Sequence, residues 1–169
     1  QFADTLAATL EAGSAADVVI AQSDTQAKSL WAVRDGVEHI VALGNPYIFD
    51  VSLAIGDMRG YVDSVRARLR ERYPEGRCFT FGHLGDGNLH FAILVGDDGE
   101  AGRGAVEACV YEPLGAMGGS VSAEHGIGLE KRDWLPLSRS TSEIAVMRDL
   151  KAALDPNDIL NPGKVFAAG

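Results

Sequence analysis

The sequence predicts an α+β fold in which helices pack on one face of an antiparallel sheet. Three observations predict it. Segments with helical apolar spacing alternate with short runs of β-branched and aromatic residues. Two of those runs, Cys78-Phe79-Thr80-Phe81 and Ala92-Ile93-Leu94-Val95, are neighbours with Asp86-Gly87 between them, a two-residue hairpin signal. The order of helices and strands matches a split βαββαβ unit better than a doubly wound parallel sheet.

The elements follow in order. Phe2, Leu6 and Leu10 step by four residues, which predicts a short helix ending at Gly13. Asp17-Val18-Val19-Ile20-Ala21 reads as a strand. Asp24 is a helix cap, and Ala27, Leu30, Val33, Val37 and Ile40 make an apolar stripe that predicts a helix to about Ala42. Arg34 flanks that stripe, where an arginine either snorkels to solvent or faces an anion. After Asn45-Pro46, residues 47–55 read as a strand with Asp50 and Ser52 alternating against Phe49, Val51 and Leu53. Asp57 caps a helix to about Tyr73, its apolar face Met58, Tyr61, Val62, Val65 and Leu69, its wet side Arg66, Arg68, Arg70 and Arg72. The hairpin comes next and ends in the run Gly96-Asp97-Asp98-Gly99. Val106, Cys109, Val110 and Leu114 predict a helix over 102–117, stopped by Gly118-Gly119. A short helix over 129–135 and a longer one over 141–154 precede a closing arm carrying Pro156 and Pro162.

Composition narrows the function classes. The chain has 169 residues, 46% of them hydrophobic and 23% charged, which suits one soluble globular domain. Acidic residues outnumber basic ones 24 to 15 for a formal charge of −9, with no lysine or arginine block, so nucleic acid is not an expected partner. No apolar run approaches the roughly 18–20 residues of a membrane-spanning helix, and no signal peptide opens the sequence. Cys78 and Cys109 lack metal-ligand spacing and sit among apolar neighbours, as expected of small buried side chains in a reducing, cytoplasmic compartment. Peripheral contact with a membrane stays open. An amphipathic stretch begins at once without a methionine, so the chain is expected to be part of a longer polypeptide.

The chemistry gathers around Gly82-His83-Leu84-Gly85-Asp86-Gly87-Asn88-Leu89-His90. With Asp86-Gly87 as the turn, His83 pairs with His90, and directly opposed residues hold their Cβ atoms roughly 4.5–5.5 Å apart, close enough for two imidazoles to reach one ion. The bland alternative is a pair of hydrogen-bonded turn histidines. Downstream, Glu124-His125-Gly126-Ile127-Gly128 adds a carboxylate and a third imidazole; neutral imidazole plus carboxylate suits zinc and other divalent ions. Adjacent residues of an extended segment point to opposite sides. Glu124 can therefore complete a metal shell while His125 faces a second ligand and serves as a base, a role open to a neutral imidazole. No phosphate-binding glycine loop or activated nucleophile accompanies them.

These motifs, with Leu160-Asn161-Pro162-Gly163-Lys164 at the end, resemble the C-terminal domain of FAD-linked oxidases, in the D-lactate, glycolate and D-2-hydroxyglutarate dehydrogenase group of the vanillyl-alcohol-oxidase superfamily. The resemblance extends from about Trp31 to Phe166. It implies a ferredoxin-like core, a single substrate domain over 1–169, and an upstream domain of the same polypeptide that binds most of the FAD. It implies His83, His90 and Glu124 as ligands of a divalent metal, zinc or manganese, His125 as the base, Arg34 as the partner of the substrate carboxylate, and Asn161 near the flavin. The implied reaction passes a hydride from a 2-hydroxy acid to flavin, then electrons to an unknown acceptor; a homodimer stays open. Relatives acting on D-2-hydroxyglutarate carry a lysine just before the strand aspartate and an asparagine two residues after the second histidine. Here Tyr47-Ile48-Phe49 precede Asp50 and Ala92 stands at the second position, so a monocarboxylate such as D-lactate fits at least as well. The rival reading is a metal-binding module without redox chemistry.

Overall fold

Alternation along three strands decides the architecture of residues 41–169. In the computed structural model, which describes residues 2–96 and 99–167, β1 (Tyr47–Ser52), β2 (Arg77–His83) and β3 (Asn88–Leu94) form one antiparallel sheet in the order β1-β3-β2. Leu89, Phe91 and Ile93 of β3 and Phe49 and Val51 of β1 are buried in one apolar core. The intervening residues, Asn88, His90 and Ala92 on β3 and Ile48, Asp50 and Ser52 on β1, point to the other face, because successive side chains of a strand alternate.

Helices α4 (Met58–Arg72) and α5 (Gly99–Ala116) supply most of the remaining core, with Met58, Tyr61, Val65 and Leu69 from one and Val106, Cys109, Val110, Tyr111 and Leu114 from the other, and Leu53 and Val121 complete it. The α4 stripe thus buries the face its spacing predicts. Tyr61 is fully buried, meets Phe91 edge to face at 5.8 Å, and donates its hydroxyl to the Val110 carbonyl at 2.8 Å. That bond ties the two helices across the core. Phe49 meets Tyr111 of α5 edge to face at 5.5 Å. A tight 3₁₀ turn at Arg132–Leu137 and helix α6 (Thr141–Leu154) follow, the latter opened by a reciprocal capping box between Ser140 and Glu143. Asp97 and Asp98 of the acidic turn, like Gln1, lie outside the described residues.

Residues Gln1–Ile40 form a separate compact unit. It holds α1 (Phe2–Glu11) and α2 (Asp24–Asp35), with Ser23 as N-cap accepting from the Gln26 N–H. Gly36 ends α2, and a short α3 (Glu38–Val41) follows, so the helix expected to run to Ala42 is two. No helix among the described residues is long and apolar enough to cross a membrane.

Two strand expectations are corrected. The run 17–21 joins no ladder among the described residues, and Val19 is exposed; β-branched composition favours a strand only where a neighbouring strand accepts its backbone groups. The last strand of the βαββαβ unit shrinks to one bridge, in which Ser52 and Ser120 exchange backbone bonds of 3.0 and 2.7 Å beside β1. The backbone then leaves the ladder because the N–H groups of Ala123, Glu124 and His125 bond to the Asp50 carboxylate instead.

Replacing Tyr61 with Phe removes the buried hydroxyl that donates from α4 to the Val110 carbonyl of α5. We expect a loss of about 1–2 kcal/mol in urea unfolding. An unchanged midpoint would show that α4 and α5 hold together without that bond.

Candidate metal and substrate site

The face of the sheet turned away from α4 and α5 carries the polar residues. Its anchor is Asp50, buried in the middle of β1 and opposite His90 in the register. One carboxylate oxygen accepts the N–H groups of Ala123, Glu124 and His125 at 2.9, 2.7 and 2.9 Å, and the Ser122 hydroxyl at 3.3 Å. The other pairs with the buried Lys131 ammonium, which also donates to the Asp50 carbonyl at 3.3 Å. Burial pushes the Asp50 carboxyl upward. The His125 N–H, the Lys131 ammonium and the Glu124 N–H outweigh burial and hold it at about 2, below its ordinary 3.8.

That anchoring aims two side chains. Glu124 Oε1 lies 3.2 Å from His90 Nε2 and 3.8 Å from His83 Nε2, and the ligand atoms of these three residues all fall within 4.8 Å of one another. His125 places Nδ1 3.3 Å from Asp50 Oδ1 and stacks its ring on His90, with centroids 5.7 Å apart and planes 20° from parallel. Burial lowers the His90 pKa, an effect the nearby Glu124 charge opposes. A neutral imidazole keeps the lone pair that an ion needs.

The histidines meet by a different route from the one the hairpin signal predicts. His83 pairs with Asn88, and Phe81 with His90. Leu84–Asp86 turn as a 3₁₀ segment and Gly87 adds a left-handed residue, φ 69°, which makes a four-residue loop instead of Asp86-Gly87 alone. A Cβ on Gly87 would stand 2.5 Å from the Leu53 carbonyl, so the glycine is required twice over, by conformation and by space. His83 and His90 are therefore diagonal neighbours on one face, with ring centroids 5.6 Å apart.

Arg34 lies on α2 in the first unit, exposed and paired with Asp35 at 2.9 Å. Asn161 is exposed in the closing arm at φ 51°, and its carbonyl accepts the Lys164 N–H at 3.2 Å. The arm is tied to the glycine-rich segment by Val165 N–H to the Gly128 carbonyl at 2.8 Å and by Arg132 to the Gly163 carbonyl at 3.1 Å. Sequence reasoning missed Asp50 and Lys131 as the anchor, and Asn88, which donates from Nδ2 to Glu124 Oε1 at 3.1 Å. A charge between Phe49 and Val51 was the available signal for Asp50, since a buried carboxylate demands partners. Lys131, between Glu130 and Arg132, carries no signal that separates it from a surface residue.

Comparison with known proteins gives a consistent family. The family described as FAD linked oxidases, C-terminal domain, matches residues 1–165. A protein of Stutzerimonas stutzeri named D-2-hydroxyglutarate dehydrogenase is 42% identical over 164 residues, covering 94% of this chain and 35% of the relative. One of Xanthomonas citri pv. viticola with the same name is 43% identical over 162 residues, covering 93% and 34%. The mitochondrial protein of that name from Arabidopsis thaliana is 39% identical over 158 residues, covering 93% and 28%. The chain spans about a third of the length of these relatives.

Asp50→Asn leaves the buried Lys131 ammonium without its counter-charge, and we expect it to destabilise the chain by about 3–5 kcal/mol in chemical denaturation at neutral pH. Because the Asp50 pKa is depressed, its contribution is complete above 3.8 and is lost as pH falls through about 2. The gap between wild type and variant should narrow across that window; a constant gap would contradict the ionic role.

Proposed function

Because the chain belongs to the family of FAD linked oxidases, C-terminal domain, we propose that it is the substrate-binding part of a flavin-dependent dehydrogenase that oxidises a 2-hydroxy acid to the 2-oxo acid. The observation that carries this reading is the convergence of His83, His90 and Glu124 beside His125 on one sheet face. Two imidazoles and a carboxylate suit a divalent ion, zinc or manganese, and His90 offers a neutral nitrogen, so the donor set fits. When bound, the ion would lower the pKa of a hydroxyl beside it. When bound, FAD would accept the hydride from C2, and an upstream domain of the same polypeptide is the proposed holder of most of it.

His125 is the proposed base. A carboxylate 3.3 Å from Nδ1 favours the tautomer with its proton there, leaving the Nε2 lone pair to take the substrate hydroxyl proton as C2 becomes a carbonyl carbon. Asp50 also stabilises the imidazolium that results. Arg34 is the proposed partner of the substrate carboxylate, which its planar guanidinium matches with two parallel bonds. Asn161, exposed on the tethered arm, is the proposed point of approach to the flavin.

Next to the Asp50 and His90 pair, Ile48 and Ala92 face each other across β1 and β3. Neither offers a charge to a second carboxylate. This favours a small monocarboxylate such as D-lactate, whereas the names of the relatives favour D-2-hydroxyglutarate. Steady-state kinetics of the full-length protein distinguishes the two: we expect the larger kcat/KM with D-lactate, and a strong preference for D-2-hydroxyglutarate would reassign Ile48 and Ala92. His125→Ala should lower kcat by about 10²–10⁴-fold while tightly bound metal is retained. Near-normal flavin reduction in that variant would remove His125 from the role of base.

A further inference from the structure

Asn88 adjoins each of the three residues that would hold the ion. It lies directly across the β2 and β3 ladder from His83 and two residues before His90 on the same face of β3. Its Nδ2 donates to Glu124 Oε1, the oxygen that lies nearest both imidazoles. The residue is only 6% exposed, and its Oδ1 is buried without a hydrogen-bond partner.

The orphaned oxygen makes asparagine a poor choice for stability. A buried acceptor without a partner is destabilising, and an apolar side chain of similar shape would remove that defect. What asparagine adds is the bond to Glu124. The Glu124 side chain is 51% exposed, and among the described residues no lysine or arginine pairs with it. Its backbone is fixed by Asp50, and among the described residues Asn88 and the imidazoles are what keep its carboxylate from turning into water.

We propose that Asn88 is a positioning residue for the ion site: it holds Glu124 Oε1 against the two histidines before the ion arrives, at the expense of its own unpartnered oxygen. The inference rests on the ion site proposed above. Residues that orient metal ligands through hydrogen bonds typically change affinity by about 10–100-fold when replaced.

The test compares Asn88→Leu and Asn88→Asp with the wild-type chain by zinc competition against a chromophoric chelator, thermal unfolding without metal, and a crystal structure of metal-free Asn88→Leu. Asn88→Leu should unfold without metal at the wild-type temperature or higher, bind zinc about 10–100-fold more weakly, and show the Glu124 carboxylate withdrawn from His90. Asn88→Asp sets a second carboxylate against Glu124, so it should unfold at a lower temperature without metal and recover when zinc is added. Unchanged zinc affinity in Asn88→Leu overturns the proposal, and so does a Glu124 that keeps its place beside His90. Unfolding of metal-free Asn88→Leu well below wild type also overturns it, because the asparagine would then serve stability. A wild type that binds no zinc overturns the ion site itself; the crystal structure then decides the tether alone.

Discussion

The Asp50 carboxylate is taken out of water in the middle of a strand and recovers its lost hydration from a single loop. Ala123, Glu124 and His125 give it three backbone N–H groups, Ser122 its hydroxyl, and Lys131 its ammonium. Hydrogen bonds to a charged acceptor are stronger than neutral ones, and a buried charge left without them is prohibitive, so this loop has little freedom to lie elsewhere. The same bonds end the fourth strand after one bridge and turn the side chains of Glu124 and His125 toward His90. Fold and site thus share one interaction.

The sheet keeps its two duties apart. Leu89, Phe91 and Ile93 bury against α4 and α5, while Asn88, His90 and Ala92, one residue out of step, form the chemical face. Because the period of a strand is two, the core cannot slip by one residue without exchanging the faces. A well-packed core, closed by the Tyr61 bond to Val110, therefore also fixes the positions of the candidate ligands. The family match extends over residues 1–165, and so takes in both the sheet and the chemical face on it.

Local pattern made much of this legible. The stripe of α4, the alternation around Asp50, and the convergence of His83, His90 and Glu124 can all be read from spacing, whereas α6 forms where its spacing predicts but buries none of its residues. The hairpin register could not be read that way, because Asp86-Gly87 is a two-residue turn signal in isolation, and the bond from the Leu53 N–H to the Gly87 carbonyl that holds the longer loop is tertiary. The run 17–21 has the composition of a strand, but pairing is not a property of one segment. Asn88 and Lys131 were hidden for the same reason: each acquires its role from a residue more than thirty positions or eighty positions away, Glu124 and Asp50 respectively, in line with separations of 36 and 81.

The claim on which the functional reading turns is that two imidazoles and one carboxylate on the chemical face hold a divalent ion. Anomalous diffraction from crystals of the chain grown with zinc, recorded on both sides of the zinc absorption edge, tests it directly. The account predicts one strong peak bounded by His83 Nε2, His90 Nε2 and Glu124 Oε1. Density for these side chains with no peak between them, or zinc bound only at other positions, would contradict it.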